Sequence, residues 1–198
     1  MTNLARHQTQ QRLDGAAPLL RTPNVTLGPY YPLRPEARTE AQVWRESRAD
    51  EGCVELVEIS GRVVNVAGGS VPDALIEVWQ ADELGRYRHP SAPKPGPGDP
   101  RFNGYGALYT DPSGGYRFRT LKPGRYTEGG ESRAPHIHFQ ITGACDRLVT
   151  QMFFPGEAAN RTDYWYRTAR RPVQLLATLL DGSPGRLRLS WDIVLATG

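Results

Sequence analysis

The sequence predicts an all-β fold, an antiparallel β-sandwich with long irregular loops and one or two short helices. Three observations carry that expectation. Glycine (21) and proline (17) together make about a fifth of the 198 residues, a density of breakers that suits many turns and few long helices. Several runs alternate apolar and polar residues with a period of two, as half-buried strands do. Those runs are separated by Gly, Pro, Asp and Asn clusters, which make turns rather than crossover helices. Neither an internal repeat nor a second domain is visible, and the length suits one domain with a sizeable core.

Residues 1–21 read as an N-terminal arm and 22–198 as a single domain. The arm is polar around Arg6, His7, Gln8, Gln10, Gln11 and Arg12. It lacks the apolar run of a signal peptide, and no stretch resembles a membrane span, so the cytoplasm is the expected compartment. Prolines exclude regular helix from Thr22–Pro32, while Arg38 to Asp50 can form a short helix. Val54–Ile59 and Gly61–Asn65 alternate on either side of a break. Gly68-Gly69 marks a turn before the core strand Ala74–Gln80. Ser91–Pro100 is too rich in Pro and Gly for regular structure. Leu108–Thr110 and Tyr116–Thr120 flank Asp111-Pro112-Ser113-Gly114-Gly115, a strong hairpin signal. After the Lys122-Pro123-Gly124 turn, His136–Thr142 and Leu148–Phe154 form an antiparallel pair. Asp163 to Leu180 is expected to hold one helix, and Leu187–Leu195 closes the fold as an alternating strand.

The formal charge of +3 is mild and the arginines are scattered. No stacked-aromatic ladder or nucleic-acid motif accompanies them, so neither nucleic acid nor membrane is expected as a partner. Cys53 and Cys145 form no CxxC pattern and read as buried thiols.

Pro135-His136-Ile137-His138-Phe139 carries the chemistry. On a strand His136 and His138 share a face roughly 6.5–7 Å apart, from which two imidazoles can converge on one ion. The chain has four histidines and only one such pair, so a further ligand must come from Asp, Glu, Cys or Tyr. Tyr87 and Tyr126 both stand where strands give way to loops. Taken singly, each reads first as a rim aromatic with its hydroxyl in water.

Trp79-Gln80-Ala81-Asp82, Gly85-Arg86-Tyr87-Arg88-His89, Tyr116–Thr120, Lys122-Pro123-Gly124-Arg125-Tyr126, Arg133–Phe139 and Gln151-Met152-Phe153-Phe154-Pro155-Gly156 stand in the order of a known family. The chain resembles the intradiol ring-cleaving dioxygenases, most closely their protocatechuate branch, over about residues 22–156. The resemblance implies a non-haem Fe(III) held by Tyr87, Tyr126, His136 and His138, with a solvent hydroxide as fifth ligand. It implies cleavage of a catechol by O2 between its two hydroxylated carbons to give a cis,cis-muconate, with protocatechuate the first expectation and hydroxyquinol or another substituted catechol the alternative. Tyr126 matches the ligand that takes a substrate proton and leaves the metal, and Arg133 the cation that stabilises charge on the ring. Gln151 matches a glutamine that orients an iron histidine. Gly28, Pro29 and Tyr30 match a segment lining the substrate pocket, which in two-subunit relatives comes from the non-catalytic chain. Its presence on the same chain as all four ligands suggests a homo-oligomer, with a hetero-oligomer of related subunits as the alternative. The ligand types agree with the metal. A trivalent ion can hold phenolates at neutral pH, and two phenolates plus hydroxide balance its charge.

Three departures fall on the pocket wall. The Tyr126–His136 loop is shorter than in typical protocatechuate enzymes, and Glu128 stands where the family usually has tryptophan. Ala134-Pro135 also reverses the usual order. A competing reading is a non-catalytic prealbumin-like or adhesin-like sandwich, which shares the turn grammar but has no need of Tyr87, an HxH strand and Arg133 together.

Overall fold

Val57, Ile59 and Val63 alternate toward one side of a single strand, β1 (Leu56–Asn65), which runs through the break expected between Ile59 and Gly61. The computed structural model describes residues 17–33, 43, 54–93 and 101–197. Cys53 and most of the expected helix (residues 38–50) and Pro/Gly loop (residues 91–100) lie outside these residues. β1 pairs antiparallel with β4 (Gly115–Leu121) and parallel with β10 (Arg186–Ser190) and then β11 (Ile193–Leu195); β9 (Thr178–Ser183) extends that sheet beyond β10. The facing sheet is antiparallel, ordered β3 (Tyr105–Tyr109), β2 (Leu75–Trp79), β7 (His136–Thr142), β8 (Arg147–Phe153). Inward residues of both sheets make the core, with Phe139 between Tyr116, Phe118 and Trp191. The fold is thus an all-β sandwich. Among the described residues no helix is long and apolar enough to cross a membrane.

Four sequence expectations change. The Asp111–Gly115 turn forms, with Asp111 Oδ1 accepting from the Ser113 and Gly115 amides at 2.7 and 2.8 Å, but β3 and β4 do not pair; the turn carries the chain from one sheet to the other. Period-two burial is the same for strands lying side by side and strands facing each other across a core, so alternation could not separate the two. The closing strand divides at Trp191-Asp192 into β10 and β11, both parallel to β1, so the sheet is mixed rather than wholly antiparallel. Residues 163–180 hold only the short helix α1 (Tyr164–Thr168), a 3-10 turn at Pro172–Leu175 and the start of β9. Cys145 is exposed in the β7–β8 turn, not buried.

The junction of β10 and β11 requires glycine at position 61. A Cβ there would stand 1.9 Å from the Trp191 carbonyl oxygen, a backbone atom held by the Trp191 amide donating to Ser60 O at 2.9 Å. Gly61→Ala is expected to cost about 3 kcal/mol, at the upper end for overpacking, read as a lowered urea midpoint.

The site lies on the outer face of the β2–β7–β8 sheet. Ile137, Phe139 and Ile141 enter the core, so alternation turns His136, His138 and Gln140 outward. They are nevertheless buried, because residues 25–31 cross this face: the Val25 amide donates to Val149 O at 2.9 Å and the Tyr31 hydroxyl to Glu77 at 2.7 Å. Glu77 is also held by Tyr105 and Gln140. The covered face is therefore a hydrogen-bonded polar layer flanked by two smaller apolar clusters, one around Trp79 and one around Phe153.

Candidate metal centre

The strand register assembles the first half of the site. His138 lies opposite Trp79 on one side and Gln151 on the other, while His136 lies opposite Phe153. Trp79 stacks on the His138 ring at 4.9 Å and 11°, fixing its plane. His136 Nδ1 is 2.7 Å from the Ala134 carbonyl. A carbonyl only accepts, so Nδ1 carries the proton and Nε2 presents its lone pair to the site. His138 is hydrogen-bonded to the Thr26 backbone, and Gln151 Nε2, which donates to Thr26 O at 3.2 Å, lies 3.4 Å from His138 Nδ1. Burial foremost, together with the Arg133 charge, keeps both imidazoles well below the ordinary histidine range, hence neutral at neutral pH.

Two Gly-Arg-Tyr tripeptides supply the other half. Asp82 accepts from the Leu84 and Arg86 amides at 3.0 and 2.8 Å and pairs with Arg86 Nε at 2.8 Å, a side-chain cage that presents Tyr87. The loop leading to Tyr126 packs directly on it. The Gly124 amide donates to Asp82 O at 2.8 Å; a Cβ on Gly85 would meet Arg125 O at 2.2 Å, and one on Gly124 would meet Glu83 O at 2.3 Å. Only glycine lets the two loops approach this closely. Tyr126 opens a two-stranded ribbon, β5 (Tyr126–Glu128) and β6 (Glu131–Arg133), so the segment expected to be an irregular loop is a hairpin turning at Gly129-Gly130.

These elements bring the four side chains together. The two Nε2 atoms are 3.2 Å apart, and Tyr126 Oη is 3.4 Å from His136 Nε2. The Tyr87 and Tyr126 rings meet edge-on at 5.4 Å, and Tyr87 is 6.3 Å from the His138 ring. Tyr87 Oη is buried with no partner in good hydrogen-bond geometry, its one polar neighbour being the Tyr126 phenol, a costly state unless something else binds it. Burial pushes the Tyr87 phenol well above its usual value, and that of Tyr126 up to about 12. An ionised pair here therefore needs a strong cation. Nitrogens 3.2 Å apart can both stand about 2 Å from one ion. Among the described residues no three His, Cys, Asp or Glu side chains cluster, so the donor set is two imidazoles with two phenols. Hard phenolate oxygens fit ferric iron.

Arg133 is only 2% exposed. It donates to Asp163 at 3.0 Å and Gln151 Oε1 at 2.8 Å, and its Nη1 is 3.3 Å from Tyr126 Oη. Asp163 also accepts from the Ala134 amide at 2.9 Å and from Tyr166 N at 3.1 Å, so one buried carboxylate ties Arg133, the histidine strand and the start of α1. Sequence reasoning missed Asp163, which lies beyond the stretch resembling the family; its signal was an N-cap residue before Tyr164. It also missed the cage role of Asp82. Gly28 packs on His138, where a Cβ would stand 3.1 Å from Cε1. Tyr30 stacks against Tyr87 at 4.5 Å, whereas Pro29 is exposed. A cleft of about 380 Å³ opens beside Tyr30, Tyr87 and Tyr126.

A dioxygenase family model matches residues 26–197, nearly the whole described chain. The chain belongs to the intradiol dioxygenase family. Its relatives include the protocatechuate 3,4-dioxygenase beta chain of Burkholderia cepacia, 45% identical over 108 residues, 52% of this chain and 46% of that protein. The hydroxyquinol 1,2-dioxygenase of Rhodococcus opacus is 35% identical over 114 residues, 50% of this chain and 36% of that protein. These matches thus span half or less of the relatives' own length. The solved dioxygenase domain of a Streptomyces dioxygenase–carbohydrate-binding fusion superposes with a TM-score of 0.68 at 27% identity, covering 90% of this chain and 99% of that one. Intradiol dioxygenases use non-haem iron and cleave aromatic rings.

Proposed function

We propose that this intradiol dioxygenase binds Fe(III) through Tyr87, Tyr126, His136 and His138 and opens a catecholic ring between its hydroxylated carbons, using O2, to a cis,cis-muconate. The observation that carries this reading is the convergence of two neutral imidazoles and two buried phenols that face mainly one another. Ferric iron would supply a Lewis acid that binds both catechol oxygens in ionised form. The chain's own groups do the rest. Tyr126 Oη is a strong base once ionised and can take a substrate proton, with Arg133 Nη1 at 3.3 Å to hold the phenol afterwards. Arg133, anchored by Asp163, offers positive charge to an electron-rich ring. Gln151 and Trp79 fix the His138 ring, and the crossing segment with Gly28, Pro29 and Tyr30 walls the pocket. Similarity to a protein named as a beta chain supports assembly with further copies or a related subunit.

The test is iron-loaded protein in an oxygen electrode with a panel of catechols. The expected result is one O2 consumed per ring opened, with visible absorption and a high-spin ferric EPR signal before substrate is added. His136→Ala is expected to abolish all three. A colourless protein that consumes no O2 after iron loading would instead favour the non-catalytic sandwich.

A further inference from the structure

His138 can offer its Nε2 lone pair to a metal only while its proton sits on Nδ1. His136 secures the same state locally, through the Ala134 carbonyl two residues away at 2.7 Å. His138 has no such neighbour in its own strand. Gln151 Nε2 lies 3.4 Å from its Nδ1, but Gln151 cannot accept the proton. Arg133 Nη2 donates to Gln151 Oε1 at 2.8 Å, and an arginine only donates, so the amide is fixed with its NH2 end toward His138. That NH2 donates to Thr26 O at 3.2 Å, which places the Thr26 carbonyl beside Nδ1 and makes it the backbone group bonded to the His138 ring. The acceptor for the Nδ1 proton therefore belongs to the crossing segment, residues 25–31, and not to the sheet. The segment rests on the sheet through the Val25 amide at Val149 O, 2.9 Å. Just upstream Arg21 grips Asp146 with two hydrogen bonds of 3.0 Å.

We propose that docking of residues 25–31 switches His138 between two neutral tautomers and so gates metal binding. Docked, the Thr26 carbonyl accepts from Nδ1–H and Nε2 is free to bind the metal. Undocked, the Gln151 NH2 is the partner that remains; it donates to Nδ1, and the proton is carried on Nε2, where it blocks the metal. The charge of the ring is the same in both states. Thr26 is a positioning residue that acts through its backbone, whatever its side chain. Docking of the segment and binding of the metal then favour each other by equal free energies. This inference rests on the reading of His138 as an iron ligand.

Long-range 1H–15N NMR of metal-free protein reads the tautomer, and competition with citrate for Fe(III), followed by the visible band, reads the affinity. Wild type is expected to carry the His138 proton on Nδ1. Val25→Pro removes the anchoring amide; it should move the proton to Nε2 and weaken Fe(III) binding about ten-fold or more, as loss of a group that orients a metal ligand does. Arg21→Ala, which releases the Asp146 grip, is the milder variant and should move both readouts the same way. Iron loading of wild type should slow hydrogen exchange of the Val25 amide. Adding Gln151→Glu to Val25→Pro supplies a carboxylate that accepts from Nδ1–H in place of Thr26. The double variant should regain the Nδ1–H form and most of the affinity, which a protein that had merely lost stability would not. A wild-type proton on Nε2, unchanged readouts in both single variants, or no rescue by Gln151→Glu overturns the switch and leaves the ligand set intact. If the tautomer moves as expected but wild type takes up no Fe(III), the ligand reading fails and the gate with it.

Discussion

Tyr87→Phe is expected to change activity and stability in opposite directions. The substitution removes one oxygen and leaves the ring that stacks against Tyr30 at 4.5 Å. In the metal-free protein that oxygen is buried with only the Tyr126 phenol beside it and no well-formed hydrogen bond, so its loss should be neutral or stabilising by about 1 kcal/mol, the desolvation penalty of a poorly satisfied hydroxyl. The iron-loaded protein should lose at least 100-fold in kcat/KM together with most of the visible phenolate absorption, because one of two anionic donors is gone. Thermal unfolding of metal-free protein and turnover of iron-loaded protein check the two halves separately. A Phe variant with full activity would remove Tyr87 from the ligand set. One that unfolds many degrees lower would mean the hydroxyl has a structural partner.

Breaking the Arg133–Asp163 pair should be the most destabilising single change in the site. Asp163 is fully buried and Arg133 nearly so, and removing one partner of a buried pair leaves the other charge uncompensated, at about 3–5 kcal/mol. Asp163→Ala also strips the acceptor from the Ala134 and Tyr166 amides. Urea titration should therefore show a midpoint far below wild type. Residual activity should fall as well, since Arg133 would no longer be held near Tyr126. Replacing both partners by apolar residues, as in Arg133→Met with Asp163→Leu, should recover much of the stability without recovering activity. If Asp163→Ala is as stable as wild type, the carboxylate does not anchor the site.

How much of this was legible beforehand differs by element. His136 and His138 were legible because a strand has a fixed period: two residues apart means one face, whatever the fold. Tyr87 and Tyr126 were nameable only through family resemblance, since nothing local separates them from rim aromatics. Their convergence depends on Gly85 and Gly124, which let two loops 39 positions apart in sequence touch backbone to backbone. The turn at Asp111–Gly115 was read correctly and its strand pairing was not. The hydrogen bonds of a turn are satisfied by neighbours in sequence, whereas the partner of a strand is chosen by the whole sheet.

Short-range order was therefore the sequence's own: the alternation of the core strands, the reversals at Asp111 and Pro123, and the shared face of the two histidines all follow from backbone geometry over a few residues. Tertiary structure alone decided which sheet each strand joined, that the histidine face is sealed by residues 25–31, and that Asp163 neutralises Arg133 beneath it. Those outcomes depend on burial and charge pairing between groups far apart along the chain, energies that no local pattern contains.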